Sequence, residues 1–276
     1  MRRRSRVVLL LAGLVALAMT AGCSVGGPAQ QKLTVTGSTT ILPIAEASAD
    51  MYQAAHPGTR ILVAGVGSSQ GIESVSQGTS DIGTSSRELA PEEKKLGLVD
   101  TKIALDAIAV IVNPSNPVRA LTMQQAAAIF ERRITNWSQV GGHDMPIGLV
   151  NRDEASGTRD AFSKIVLKGR DFDRTAAVLP GTGQVRAVVT ESPGAVGFIS
   201  LGFVDRGVKA VAIDRIRPTE ATVADGTYPI SRVLHFFTKG QPKGLAKAYI
   251  DFVLSTPVQD AVVRDAGFLP IDKALK

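Results

Sequence analysis

A chain of 276 residues, 44% hydrophobic and 20% charged, has enough apolar surface for one large domain or two smaller ones, which excludes an intrinsically disordered polymer. The formal net charge of +6 invites a nucleic-acid reading, but four of the 31 basic residues (Arg2, Arg3, Arg4 and Arg6) stand in the first six positions, leaving 27 against 25 acidic residues. With no basic stripe in the remainder and only 5% aromatics, nucleic acid is excluded as a partner.

The arginine-rich start runs into an apolar stretch over 7–19, then the small residues Thr20, Ala21 and Gly22, and then Cys23, the one cysteine. The stretch is short for a membrane span and has the order of a secretory signal, which predicts a signal peptide over 1–22. A lone cysteine directly after small residues resembles the bacterial lipobox, whose cysteine is lipidated; Thr20 stands where leucine is usual. Residues 23–31 then read as a lipid-anchored tether on a membrane facing the periplasm or the cell exterior. A single cysteine rules out a disulfide scaffold.

Short β-type runs alternate with helical patterns from there on, which predicts α/β layering. Strands are predicted over 33–36, 60–64, 81–84 and 104–113, the last an apolar run ended by Pro114. Helices are predicted over 42–55, with Pro43 tolerated in the first turn, and over 71–77. A second group follows: helices over 122–130 and 158–167, strands over 147–151, 195–200 and 208–213. A strand over 233–238 and helices over 245–254 and 258–265 close the chain. Two lobes are expected, residues 32–108 with 231–276 and residues 109–230, joined by extended crossings near 103–112 and 228–237.

Three strand-to-helix turns are built alike: Gly37-Ser38-Thr39-Thr40, the segment Gly65 to Gly71 with Ser68 and Ser69, and Arg152 to Thr158 with Ser156-Gly157-Thr158. Each puts hydroxyls and glycines where a helix leaves its first N–H groups without intrahelical partners, a place that favours an anion. Ser85-Ser86-Arg87 adds hydroxyls and a guanidinium, whose planar fork grips two oxygens of a tetrahedral oxyanion. Any one such serine or threonine is ordinarily an N-cap worth ~1 kcal/mol. Three together, with two arginines close by, point to an anion site.

These segments resemble the phosphate-binding receptors of bacterial ABC phosphate transporters, a solute-binding protein family. The resemblance rests on TGSTTILP (36–43), GVGSSQG (65–71), SDIGTSSREL (80–89), ITNWS (134–138), NRDEASGTRDAF (151–162) and the closing segment 249–271. It implies a two-lobed periplasmic-binding-protein fold (Venus flytrap, type II), each lobe a mixed sheet flanked by helices, that closes on inorganic phosphate without catalysis. Carried over motif by motif, Ser38, Thr39, Thr40 and Ser68 donate from one lobe, and Arg152, Ser156, Gly157 and Thr158 from the other. Ser86 falls where many relatives carry an aspartate that accepts the ligand's proton, so Ser86 or Asp81 is left as the candidate acceptor. Arg87 is a candidate ligand contact or a partner for Asp81. The resemblance also implies a monomer serving permease subunits with a separate ATPase, and no cofactor.

Other chemistry fits less well. Gly67-Ser68-Ser69-Gln70-Gly71 matches G-x-S-x-G, but His143 and His235 lie in a glycine loop and an apolar β run, poor places for a triad histidine. His56, His143 and His235 are isolated and form no metal-ligand spacing. No P-loop pattern is present. Trp137 reads as a core anchor for its loop. Receptors of the same architecture for sulfate or molybdate, and a phosphate-binding sensor or adhesin, remain open.

Overall fold

The structure, a computed structural model, describes residues 30–271; the expected signal peptide, Cys23 and most of the tether lie outside them. The strands, in chain order, are β1 (Gln31–Gly37), β2 (Thr59–Gly65), β3 (Ile82–Ser85), β4 (Leu98–Val112), β5 (Ala120–Leu121), β6 (Gly148–Arg152), β7 (Ala177–Leu179), β8 (Ala195–Ser200), β9 (Lys209–Ala210), β10 (Ala212–Ile213), β11 (Ser231–Lys239) and β12 (Leu269–Pro270). The principal helices are α1 (Leu42–Ala55), α2 (Ser68–Gln77), α3 (Met123–Phe130), α4 (Gly157–Phe162), α5 (Thr182–Glu191), α6 (Glu220–Ala224) and α7 (Gly244–Leu254). β1 already begins at Gln31, the last residue of the expected tether.

The main sheet runs β2-β1-β3-β11-β4-β8-β6-β7, with β9 and β12 also paired to β4. β1 lies parallel to β2 and β3, and β6 parallel to β8 and β7, as expected of strands linked by crossover helices. Between these parallel halves run antiparallel strands. Residues 98–107 of β4 pair with β11, whereas 108–112 pair with β8, so this 15-residue strand is shared by both halves. It is longer than the predicted 104–113 because its first five residues are half-buried or exposed and lack an apolar run.

The two largest hydrophobic cores among the described residues flank that shared strand. One gathers Leu33, Val35, Ile44, Tyr52, Ile82, Phe236, Tyr249 and Val253. In α1 the buried positions Ile44, Ala45, Ser48, Ala49 and Tyr52 form one face, and Tyr249 of α7 donates its hydroxyl to the Ala45 carbonyl at 2.8 Å. The other core holds Val110, Phe130, Trp137, Phe162, Phe198 and Tyr228. Trp137 is buried, and its indole N–H donates to the Gly194 carbonyl at 2.9 Å, so it anchors its loop as expected. Phe162 stacks on Phe198 with centroids 4.3 Å apart and meets Phe130 edge-on, which pins the end of α4. The predicted helix over 158–167 is α4 followed by a π-helical turn, Ser163–Leu167. The last predicted helix, over 258–265, is mostly a π-helical turn at Gln259–Val263.

Candidate functional site

The turns that follow β1, β2, β3 and β6 form the candidate site. Ser38 is fixed first: its N–H donates to Thr84 Oγ1 at 2.7 Å and the Thr84 carbonyl at 3.0 Å. Its own Oγ accepts from Thr40 N at 3.2 Å, and α1 has no side-chain cap. The second turn is drawn in by Gly71, where a Cβ would sit 2.6 Å from Gly37 Cα and from the Thr36 carbonyl. Only glycine allows α2 so close to β1, and Ser68 is thereby carried to the cleft. Ser68 does not cap α2 either: its Oγ accepts from Ser86 N at 3.1 Å and lies 3.3 Å from Ser86 Oγ. Ser156 does cap its helix, accepting from Arg159 N at 3.1 Å, so the ordinary capping role applies to this one.

These turns meet across the cleft. Thr39 Oγ1 lies 3.1 Å from Thr182 Oγ1, and Thr40 Oγ1 lies 3.1 Å from Thr158 Oγ1. Ser69 N donates to the Ala155 carbonyl at 3.1 Å. A Cβ on Gly157 would run into Ser68 Oγ and stand 2.8 Å from Ser86 Oγ, so the backbone of the third turn lies flat against the first two hydroxyl groups. Ser38, Thr40, Ser68, Ser86, Ser156 and Thr158 are all buried.

Arg152 supplies the charge. It is 2% exposed and donates from Nε to the Leu179 carbonyl (3.1 Å), from Nη2 to the Pro180 carbonyl (2.8 Å) and from Nη1 to Thr182 Oγ1 (3.1 Å). None of these partners is a carboxylate, and Arg152 makes no ion pair among the described residues. Burial lowers its pKa to about 10, with nearby Asp153 opposing and Arg232 adding to the fall. It is therefore a cation at neutral pH, desolvated and with no carboxylate bonded to it, a state proteins tolerate where an anion completes it.

Arg87 does something else. Its Nη1 and Nη2 donate to Glu93 Oε2 and Oε1 at 2.6 and 2.8 Å, and its Nε stands 3.9 Å from Asp160 at the rim. The expected alternative partner, Asp81, instead accepts from Thr34 N at 2.7 Å and Thr34 Oγ1 at 2.8 Å, beside the middle of β1. Ser69 accepts from Arg87 at 3.0 Å and has no histidine beside it. His56 stacks on Tyr52, His143 is exposed, and His235 bonds Asp100 at 2.8 Å.

Sequence reasoning missed four residues here. Thr182, at the start of α5, links Arg152 to Thr39, and its segment Leu179-Pro-Gly-Thr-Gly183 repeats the same strand–glycine–hydroxyl–helix pattern. Arg232 donates to Asp106 Oδ2 from Nε (2.9 Å) and Nη2 (2.8 Å), to the Ser86 carbonyl (3.2 Å) and to Thr40 Oγ1 (3.4 Å). Ser200 donates to Asp106 Oδ1 at 2.7 Å. Burial pushes the Asp106 carboxyl up, against the pull of Arg232 and Ser200. The signal was Asp106, the one charge in the apolar run 103–112 of β4, and Arg232 near the start of β11, which the strand register places opposite each other as Asp106↔Arg232.

The PBP superfamily domain matches residues 24–257. The chain belongs to the PBP superfamily. Within it, the chain is 31% identical to the phosphate-binding protein PstS of Bacillus subtilis (strain 168), over 98% of this chain and 95% of that one. It is 30% identical to the phosphate-binding protein PstS of Borreliella burgdorferi, over 87% and 90%. Among solved structures it is similar to a Clostridium perfringens protein described as a phosphate ABC transporter substrate-binding protein with bound phosphate: 36% identity, TM-score 0.84, covering 87% of this chain and 99% of that chain. An ABC-type phosphate transport receptor from Vibrio cholerae follows at 34% and 0.73, covering 86% and 99%. The periplasmic-binding-protein fold expected from the sequence is thus the fold of its solved relatives.

Proposed function

We propose that this chain is the extracytoplasmic receptor of an ABC-type importer, binding inorganic phosphate in the interlobe cleft and performing no catalysis. The carrying observation is Arg152, buried without a carboxylate partner beside three helix starts whose hydroxyls face one another. The names of its relatives in B. subtilis, C. perfringens and V. cholerae support the choice of phosphate among oxyanions. Ser38, Thr39, Thr40, Ser68 and Ser86 would act from the lobe of 32–108 and 231–276. Arg152, Ser156, Gly157 and Thr158 would act from the lobe of 109–230. Arg87 would brace the rim through Glu93 and Asp160 rather than hold the ligand. Isothermal titration of the purified protein against phosphate, sulfate and molybdate tests this. One phosphate per chain, bound more tightly than the other two, is expected; preference for sulfate or molybdate would reassign the receptor.

Delivery to permease subunits with a separate ATPase, and a monomeric state, belong to the same proposal. So does lipid anchoring through Cys23 after removal of 1–22; no helix among the described residues is long and apolar enough to cross a membrane. The Cys23→Ser protein should leave the membrane fraction, whereas a wild type that fractionates as soluble would remove the anchor from the account.

A further inference from the structure

Away from the cleft the sheet carries a second concentration of positive charge. Val112 pairs with Val196, which pairs with Leu149, so these residues form one row across β4, β8 and β6. Along β6 the chain runs on from that row to Arg152 and the cleft, whereas β4, antiparallel to β8, leaves it in the opposite direction. Pro114 and Lys209, which pairs with Val112, therefore stand at the end of the sheet away from the cleft. A cavity of about 440 Å³ lies there, its lining including Pro114, Arg119, Lys209, Arg217, Pro218 and Thr219.

The frame of this cavity is fixed, and its charge is not neutralised. The Asn116 carbonyl accepts from Lys209 Nζ, and Asn116 Oδ1 accepts from Val118 N at 3.0 Å. The Arg119 carbonyl accepts from Ala212 N at 3.0 Å and the Arg217 carbonyl from Thr222 Oγ1 at 2.6 Å, so both backbones are held while both residues are exposed. No carboxylate lines the cavity, and none of the three cations forms an ion pair among the described residues. The acids of the flanking segments are engaged elsewhere: Asp214 Oδ1 accepts from Met123 N at 3.0 Å, Glu220 pairs with Arg264, and Asp205 pairs with Arg186. Burial, and then the nearby Arg119, push the Lys209 ammonium down, with no carboxylate opposing them. Like charges gathered on a fixed frame repel one another, and an anion between them relieves the repulsion.

We infer that this cavity is a second anion site, separate from the cleft, that takes an oligophosphate, a short chain of linked phosphate groups. Two guanidinium forks and an ammonium rise from three separate segments, an arrangement that suits several phosphate groups in a row better than one. The volume is within the range of small-molecule sites and exceeds what one phosphate fills. No aromatic side chain lines it among the described residues, so nothing there stacks on a nucleobase, and the charge of the ligand has to carry the binding.

The test is titration calorimetry with tripolyphosphate, in enough orthophosphate to fill the cleft. The wild type should bind one tripolyphosphate per chain, more weakly as salt is added, because two of the three cations are exposed and screened. The double variant Arg119→Ser/Arg217→Ser should lose about tenfold or more of that affinity while binding orthophosphate as the wild type does. Arg217→Glu, a single exposed change, carries the test if the double variant does not fold, and should weaken tripolyphosphate at least as much. Arg152→Ala should bind tripolyphosphate like the wild type, whatever becomes of its orthophosphate affinity. A wild type that binds no tripolyphosphate overturns the inference, as do variants at Arg119 and Arg217 that keep the full affinity. Loss of tripolyphosphate binding in Arg152→Ala would put that ligand in the cleft and overturn it too, leaving the phosphate reading of the cleft intact.

Discussion

Replacing Arg152 with alanine removes the one buried cation among the described residues that has no carboxylate partner. Its three protein acceptors are two backbone carbonyls and a hydroxyl, none of which compensates a full charge. A bound oxyanion would do so in a desolvated cleft, and losing one partner of such a pair costs about 2–5 kcal/mol, or roughly 30- to 4000-fold in affinity. The same loss is visible in a melting experiment. A ligand at about 100 times its Kd stabilises by about 2.7 kcal/mol, which for a chain of this size is roughly 5–11 °C in Tm. We therefore expect the wild type to gain that shift at a phosphate concentration where Arg152→Ala gains none. The unliganded melting temperatures should differ little, since the variant loses hydrogen bonds but also sheds a costly desolvated charge. Arg152→Lys should recover only part of the affinity, because a point charge does not replace the planar fork. An Arg152→Ala protein with the wild-type shift would refute the placement of the anion site.

Gly157→Ala should weaken phosphate binding by about tenfold or more while leaving the unliganded Tm nearly unchanged, since its Cβ strikes Ser68 Oγ only when the turns are together; small-angle scattering in saturating phosphate should show a more open molecule, and an unchanged profile would contradict this. Ser86→Asp should lower sulfate affinity more than phosphate affinity by adding an acceptor that repels an unprotonated oxyanion; an unchanged ratio, measured by competition calorimetry, would exclude Ser86 as a facing group. Asp81→Asn should leave phosphate affinity unaltered, because Asp81 is engaged with Thr34 away from the cleft, and a loss of binding would return it to the list of acceptors.

Much of the site was legible because its chemistry is local. Ser38 to Thr40, Ser68 and Ser156 to Thr158 each sit at a strand-to-helix turn whose glycines and hydroxyls are contiguous in the chain. What was hidden depends on pairing across the sheet. Asp106 and Arg232 are 126 positions apart and become partners only through the register of β4 against β11. Arg87 has two acids of the rim within reach in three dimensions, Glu93 and Asp160, and neither is marked by spacing. The alternation of strands and helices was readable, but α5 was not, since a helix opened by Thr-Gly with little apolar periodicity gives a weak signal. The π-helical turns after α4 and before β12 follow from packing against the core and have no mark in the pattern.

The central claim, that inorganic phosphate sits between the lobes on Arg152, is tested most directly by a crystal structure of the protein grown with phosphate. The account predicts one tetrahedral density in the cleft, within hydrogen-bond distance of Arg152, Ser68, Thr39 or Thr40, and the Gly157 and Thr158 N–H groups. Density for phosphate elsewhere, with the Arg152 guanidinium still bonded only to Leu179, Pro180 and Thr182, would contradict it.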